Sequence, residues 1–256
     1  MLNKIYAEIY KNYISIKRYP IEVAGDFILY ILIFLAIYYS SKGYYSDLAA
    51  RNRQVNRLIM TYTSWVFLSG ILNHISNNVI KEMALGTINQ VVLCDLNLAS
   101  TFIIRSLVYA LRLCFFIIPF TVFEFWITGS KCMFDLRVYY VLITTSIGAL
   151  GLSLLMGGLI LRYKSIGKLT MLISILFLGT TLFDIRAIFS QISYAKYIFP
   201  FIEGQQILKD ITLDNSIETV SYVLLAVNAL IYFGAGVALF DRNYKKVRLY
   251  GELNKI

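Results

Sequence analysis

"GLSLLMGGLILRYKSIGKL", residues 151–169, joins the end of one long apolar run to the start of another through a short basic turn. A bilayer core about 30 Å thick needs roughly 20 mainly apolar residues per helical crossing. The runs on either side, 138–161 and 168–183, read as two crossings, with Arg162, Lys164 and Lys168 at the water interface between them. Working outward, further apolar runs lie at 23–39, 58–78, 99–126 and 219–240. The expected fold is therefore an all-α polytopic membrane protein with six transmembrane helices, built as one domain over 1–256.

Composition agrees. Hydrophobic residues make up 58% of the 256, and charged residues 15%, against roughly 25% charged in soluble domains. The net charge of +9 does not point to nucleic acid, because the cations sit at span ends and in the termini, where they set orientation and meet anionic headgroups. With both termini placed in the cytoplasm, most lysines and arginines fall inside, led by the 162–168 turn and the tail "DRNYKKVR". The first outer loop, with Lys42, Arg51, Arg53 and Arg57, opposes that orientation. No cleavable signal peptide is evident, so the first span is expected to be retained as an anchor. The Ile-, Lys-, Tyr- and Asn-rich composition suggests a bacterial cell membrane.

Two segments outside the spans are amphipathic. In 1–19, Leu2, Ile5, Tyr6, Ile9, Tyr13 and Ile16 recur at helical spacing, with Lys4, Glu8, Lys11 and Asn12 between them. This predicts an interfacial helix with its polar face toward water. In 79–94, Ile80, Met83, Ala84, Thr87, Ile88, Val91 and Val92 form one continuous helical stripe, with Lys81, Glu82, Asn89 and Gln90 opposite. Gly86 in the middle is read as a bend or a close backbone approach. Within the outward connection 184–218, the piece "ISYAKYIFPFIEGQQILKDI" (192–211) is too apolar for an ordinary solvated loop and is interrupted by Pro200 and Gly204. Short helices dipping into the outer leaflet fit that pattern.

The chemistry of common catalytic sites is missing from the sequence. There is no phosphate-cradling G-x-x-x-x-G-K-[ST] loop, and "GLSLL" is not a nucleophile elbow. His74 is the only histidine and is read as a packing or interfacial residue beside Asn73 and Asn77. Cys94, Cys114 and Cys132 make no metal-ligand spacing. No catalytic residue, metal ligand or cofactor site is therefore assigned. Within the spans, charged residues carry a functional expectation: Arg105, Arg112 and Glu124 are candidates to line a pathway, with Arg105 also able to snorkel to the interface. Thr145, Ala149, Ser153 and Gly157 form a small-residue stripe for close helix packing, and Gly234 and Ala238 suggest the same in the last span.

The stretch "VIKEMALGTINQVVL" resembles the cytoplasmic segment of type-2 ABC exporter permeases, where an acidic residue stands four before a Gly-Thr pair, as Glu82, Gly86 and Thr87 do. "GLSLLMGGLILRYKSIGKL" is similar to the fourth span and basic turn of that family. "YAKYIFPFIEGQQILKDI" is similar to its outer re-entrant region. The chain departs from the family in having Ala84, Leu85 and Asn89 around the Gly-Thr pair, and Cys94-Asp95 where Ser-Pro is common. The resemblance implies a coupling helix at 79–94 that docks a separate cytoplasmic ATPase through Lys81, Glu82, Gly86, Thr87 and Gln90. It also implies a second copy or homologous permease as partner, with ATP and Mg on the ATPase alone. An amphipathic or lipophilic cargo suits the aromatic-rich spans. The alternative is a non-transporting immunity or scaffold protein that binds a toxin or partner through its outer loop.

Overall fold

A computed structural model describes residues 2–41, 48–88, 98–130, 135–164, 167–183, 200–213 and 215–249. The described residues form helices α1 (Leu2–Arg18), α2 (Pro20–Ser41), α3 (Leu48–Ala84), α4 (Leu98–Thr128), α5 (Leu136–Tyr163), α6 (Gly167–Leu182), α7 (Pro200–Thr212) and α8 (Thr219–Leu249). Among the described residues, four helices are long and apolar enough to cross a membrane: α2, α4, α5 and the Thr219–Arg248 portion of α8. The chain is thus an all-helical protein with the makings of a multi-pass membrane protein. The other two runs expected to span differ from these in instructive ways. Helix α3 has 37 residues, about 55 Å at 1.5 Å per residue, but polar side chains are spread along it. Helix α6 is apolar but has 16 residues, about 24 Å.

The bundle is organised around α5. Its most extensive neighbour is α8, and the seam between them is built on absent side chains. A methyl group on Gly151 would collide with the backbone of Tyr232 and Phe233, and one on Gly236 with the Gly151 carbonyl. One at Gly158 would lie 2.9 Å from the Phe240 Cα. The small-residue stripe occupies a neighbouring face: Ser153 Oγ donates to the Leu72 carbonyl of α3 at 2.6 Å, and a methyl on Gly157 would sit 2.9 Å from Ile75 Cγ2. Thr145 meets Gly204 of α7, again with no room for a methyl. In the last span the expectation fails. Gly234 and Ala238 are exposed, and Gly234 has open space around it. Gly236, two residues from Gly234, points about 200° away around the helix and is the residue that packs.

Helix α7 is the helix of the 184–218 segment among the described residues; residues 184–199 and 214 lie outside them. Its charged and amide side chains are turned inward: Glu203, Gln205, Gln206, Lys209 and Asp210 are all buried. Gln205 Nε2 donates to the Thr61 carbonyl at 3.2 Å and to Ser64 Oγ at 3.3 Å. Lys209 Nζ donates to the carbonyls of Thr180 and Phe183 at 2.6 and 2.7 Å. Those carbonyls end α6, where the helix dipole favours a cation. Between α3 and α6, Trp65 Nε1 donates to the Ser174 carbonyl and Asn73 Nδ2 to Ser174 Oγ, both at 2.8 Å. The short α6 is thus held by hydrogen bonds on two sides. Its outer face, including Leu172, Ile175 and Leu176, is exposed.

Helix α1 corrects the sequence reading of its polar face. Glu8 turns toward α4, while Tyr6, Ile9, Tyr10, Tyr13 and Ile16 are exposed. Part of the polar face is used inside the protein rather than given wholly to water.

Candidate functional site

The end of α3 is where the expected stripe breaks. The helix stops at Ala84, and Gly86 has φ +65°, in the left-handed region where glycine carries no Cβ penalty. The Gly86 N–H donates to the Met83 carbonyl and the Thr87 N–H to the Glu82 carbonyl, both at 3.1 Å. This pair of bonds is the Schellman closure of a helix C-terminus. The single continuous helix expected over 80–92 is therefore not formed. Three-and-four spacing reads straight through a glycine, whereas a left-handed residue there turns the chain. Of the two readings of Gly86, the bend is correct, since nothing lies within 4 Å of where its Cβ would be. Past the turn, Ile88 is fully buried and clusters with Val79, Met83, Leu98 and Phe102. Gln90 and the rest of 79–94 lie outside the described residues.

The turn divides the residues that the sequence grouped together. Lys81 and Gly86 face outward with Leu85, which is 64% exposed. Glu82 and Thr87 face inward. Glu82 Oε1 accepts from Arg105 Nη1 of α4 at 2.8 Å, and its Oε2 accepts from the Thr87 hydroxyl. Arg105 Nε in turn donates to Glu8 Oε1 of α1 at 2.8 Å. The three charged side chains are only 11% (Arg105), 13% (Glu82) and 17% (Glu8) exposed. One guanidinium thus ties together three helices, α1, α3 and α4. Burial alone pushes the Glu82 carboxyl up. The hydrogen bonds from Thr87 and Arg105, with the Arg105 charge, outweigh it and hold the group below its ordinary value.

Arg105, Arg112 and Glu124 do not converge on one site. Arg105 belongs to the clamp. Arg112, about 10 Å farther along α4, lies 5.9 Å from the Tyr109 ring centroid. His74 is stacked on the same Tyr109 ring with centroids 4.0 Å apart and has Nε2 3.1 Å from Asn78 Nδ2. Glu124 is fully buried. Its Oε2 accepts from Thr63 Oγ1 at 2.6 Å, and its Oε1 has no hydrogen-bond partner among the described residues. As arranged here, Glu124 braces α4 against α3. No group of three or more potential metal-ligating residues occurs among the described residues.

Sequence reasoning did not find Glu8 as a partner of Arg105, nor Leu85 as the apolar tip of the turn. The first pair is separated by 97 positions, and no local pattern signals such a contact. Leu85 was legible only once the turn was known. Compared with known proteins, the chain matches no family model and no curated sequence at a significant level.

Proposed function

We propose that this chain is the membrane subunit of an ATP-driven exporter in a bacterial cell membrane, with six spans, both termini cytoplasmic, and nucleotide bound only by a separate ATPase. The observation that carries this reading is the construction of the α3 end. Helix α3 is about 25 Å longer than a bilayer core and finishes in a turn with two distinct sides. Lys81, Leu85 and Gly86 are presented outward, while Glu82 is bonded to α4 and, through Arg105, to α1. A soluble subunit pressing on that surface would act directly on three helices. The Lys- and Arg-rich ends of α5 and α8 support a cytoplasmic assignment. A methyl on Gly167 at the start of α6 would lie 2.5 Å from Ile80 Cδ1, and Asn243 of α8 lies against Gly158. The 162–168 turn and the basic end of α8 therefore share one end of the bundle with the α3 turn.

On this reading two copies, or one copy and a homologous permease, enclose a pathway, and α7 belongs to the outer re-entrant region. Transport work comes from a shift between two states that differ in cargo affinity. The amphipathic or lipophilic cargo, such as a small membrane-active peptide or a drug, is inferred from Arg112 and the apolar, aromatic-rich spans. The immunity or scaffold alternative relies on an outward surface over 203–214. Burial of Glu203 and Asp210 counts against that surface.

The test is co-purification. The tagged chain, extracted gently from its native membrane, should bring down an ATP-binding protein in stoichiometric amount, as identified by mass spectrometry. Lys81→Glu/Leu85→Glu should release it while leaving the fold intact. Glu82→Lys, the obvious choice from sequence, is unsuitable because it sets a cation against Arg105. If no ATP-binding protein appears even after mild crosslinking, the exporter reading fails.

A further inference from the structure

At the opposite end of α2 and α3 from the clamp lies a cavity of about 100 Å³, lined chiefly by Tyr38, Ser41, Arg51, Gln54, Arg57 and Leu182. It brings the end of α2, the first turns of α3 and the end of α6 together. We propose that this cavity is a binding site for a phosphate-type anion, and that the phosphodiester of a phospholipid headgroup is its occupant.

The argument begins with charge. Two arginines line one small cavity, and among the described residues neither has a carboxylate within ion-pair distance. Arg51 is positioned by its Nη2, which donates to the Tyr38 hydroxyl at 3.4 Å. Guanidinium groups are planar forks whose paired N–H donors match phosphate oxygens. Gln54 also lines the cavity, and its Oε1 is buried without a hydrogen-bond partner among the described residues. The oxygen and nitrogen of such an amide are interchangeable by a half-turn, and the turned amide offers two N–H donors. The Tyr38 hydroxyl, which accepts from Arg51, keeps its own proton as a further donor, whereas the Ser41 hydroxyl gives its proton to the Tyr38 carbonyl. The donor set suits an anion with several oxygens and offers little to a cation.

Depth then selects the source. Helix α2 has 22 residues, about 33 Å, so Tyr38 and Ser41 stand one bilayer thickness from its start, at headgroup level. The apolar surface beside the cavity is open: Leu182, Phe183 and Tyr39 are all exposed. A phospholipid seated by its phosphate could lay its acyl chains along the α2 and α6 faces. A free phosphate would use the donors but leave that surface unexplained. The proposal needs α2 to cross a bilayer and is independent of the exporter reading.

The test uses the full-length chain reconstituted in vesicles of equal parts phosphatidylcholine and phosphatidylglycerol. After extraction, retained phospholipid is counted by native mass spectrometry with and without added inorganic phosphate. Wild type should retain phospholipid, and Arg51→Gln and Arg57→Gln should each lower retention by about tenfold, the usual effect of losing a charge-assisted hydrogen bond. Arg53→Gln, an exposed arginine outside the lining, should change nothing. Should the Gln variants fail to fold, Arg51→Lys/Arg57→Lys and Tyr38→Phe decide, since the first keeps charge without the fork and the second removes one hydroxyl; each should reduce retention. Inorganic phosphate that binds through the same arginines and displaces lipid would keep the anion site while making a free anion its ligand. Equal retention in wild type and every cavity variant, or an equal loss in Arg53→Gln, would overturn the proposal.

Discussion

The α5–α8 seam and the α1–α3–α4 corner are joined by opposite means. In the seam, Gly151, Gly158 and Gly236 let two backbones touch. In the corner, a single arginine and two carboxylates from three helices supply the connection. Close packing has one good arrangement, and displacing it loses many small dispersion contacts at once. An ion pair at the edge of a bundle can be broken and remade as its surroundings change. The seam is therefore expected to tolerate substitution least, and the corner that carries the α3 turn to tolerate it better.

The severest test of the comparison is to put a side chain into the seam. Gly151→Val should be the most damaging substitution considered, since its Cβ meets main chain on α8 that has no rotamer to change. Overpacking typically costs about 1–3 kcal/mol where side chains can give way, and here the cost should exceed about 3 kcal/mol. Yield of folded protein in detergent and its thermal unfolding midpoint would show this. A variant as stable as wild type would mean that α8 does not lie against Gly151.

Breaking the corner should cost less and should depend on pH. Arg105→Gln leaves Glu8 and Glu82 without their shared cation and should destabilise by about 2–3 kcal/mol. Because the Glu82 carboxyl is held below its ordinary value of 4.5, its contribution is complete above that pH. It is lost as the pH falls through the lower folded-state value. Thermal midpoints measured from pH 7 to pH 3.5 should therefore fall at the acid end for wild type. The fall should be smaller for Arg105→Gln. Identical slopes would show that Glu82 titrates independently of Arg105.

At the turn itself the expected effect is smaller. Gly86→Ala forces a side chain into the left-handed region at φ +65°, which costs about 1 kcal/mol, while the added methyl meets nothing. On the proposed reading this variant should keep the bundle but weaken ATPase association several-fold, measured by pull-down. Such a split between stability and association would separate a docking role from a purely structural one.

The helices themselves were legible because apolar run length and breaks at charged turns are local properties. The runs at 138–161 and 168–183 and the basic turn between them reappear as α5 and α6 within a few residues. Three other features were not legible, each for a physical reason. The α3 turn was hidden because Met83, Ala84, Thr87 and Ile88 keep helical spacing across a glycine whose backbone is not helical. The clamp was hidden because its members are 23 and 97 positions apart, and charge alone does not name a partner. The inward polar face of α7 was hidden because nothing local to Glu203, Lys209 and Asp210 names a partner, whereas Lys209 is spent on the carbonyl end of α6.

The last span offers the finest test, because two glycines there are chemically identical and two residues apart. Gly234→Leu places a side chain on the exposed face beside Ile231 and Leu230, with no atom in its way. It should change the stability of the isolated chain by less than about 0.5 kcal/mol. The same substitution at Gly236 should behave like Gly151→Val. If both are damaging in the purified single chain, α8 is rotated from the arrangement described. If Gly234→Leu is harmless to the single chain yet abolishes a dimer seen by light scattering, the exposed small residues Gly234 and Ala238 lie in a contact between copies. In that case the sequence would have been right that they pack and mistaken only about what they pack against.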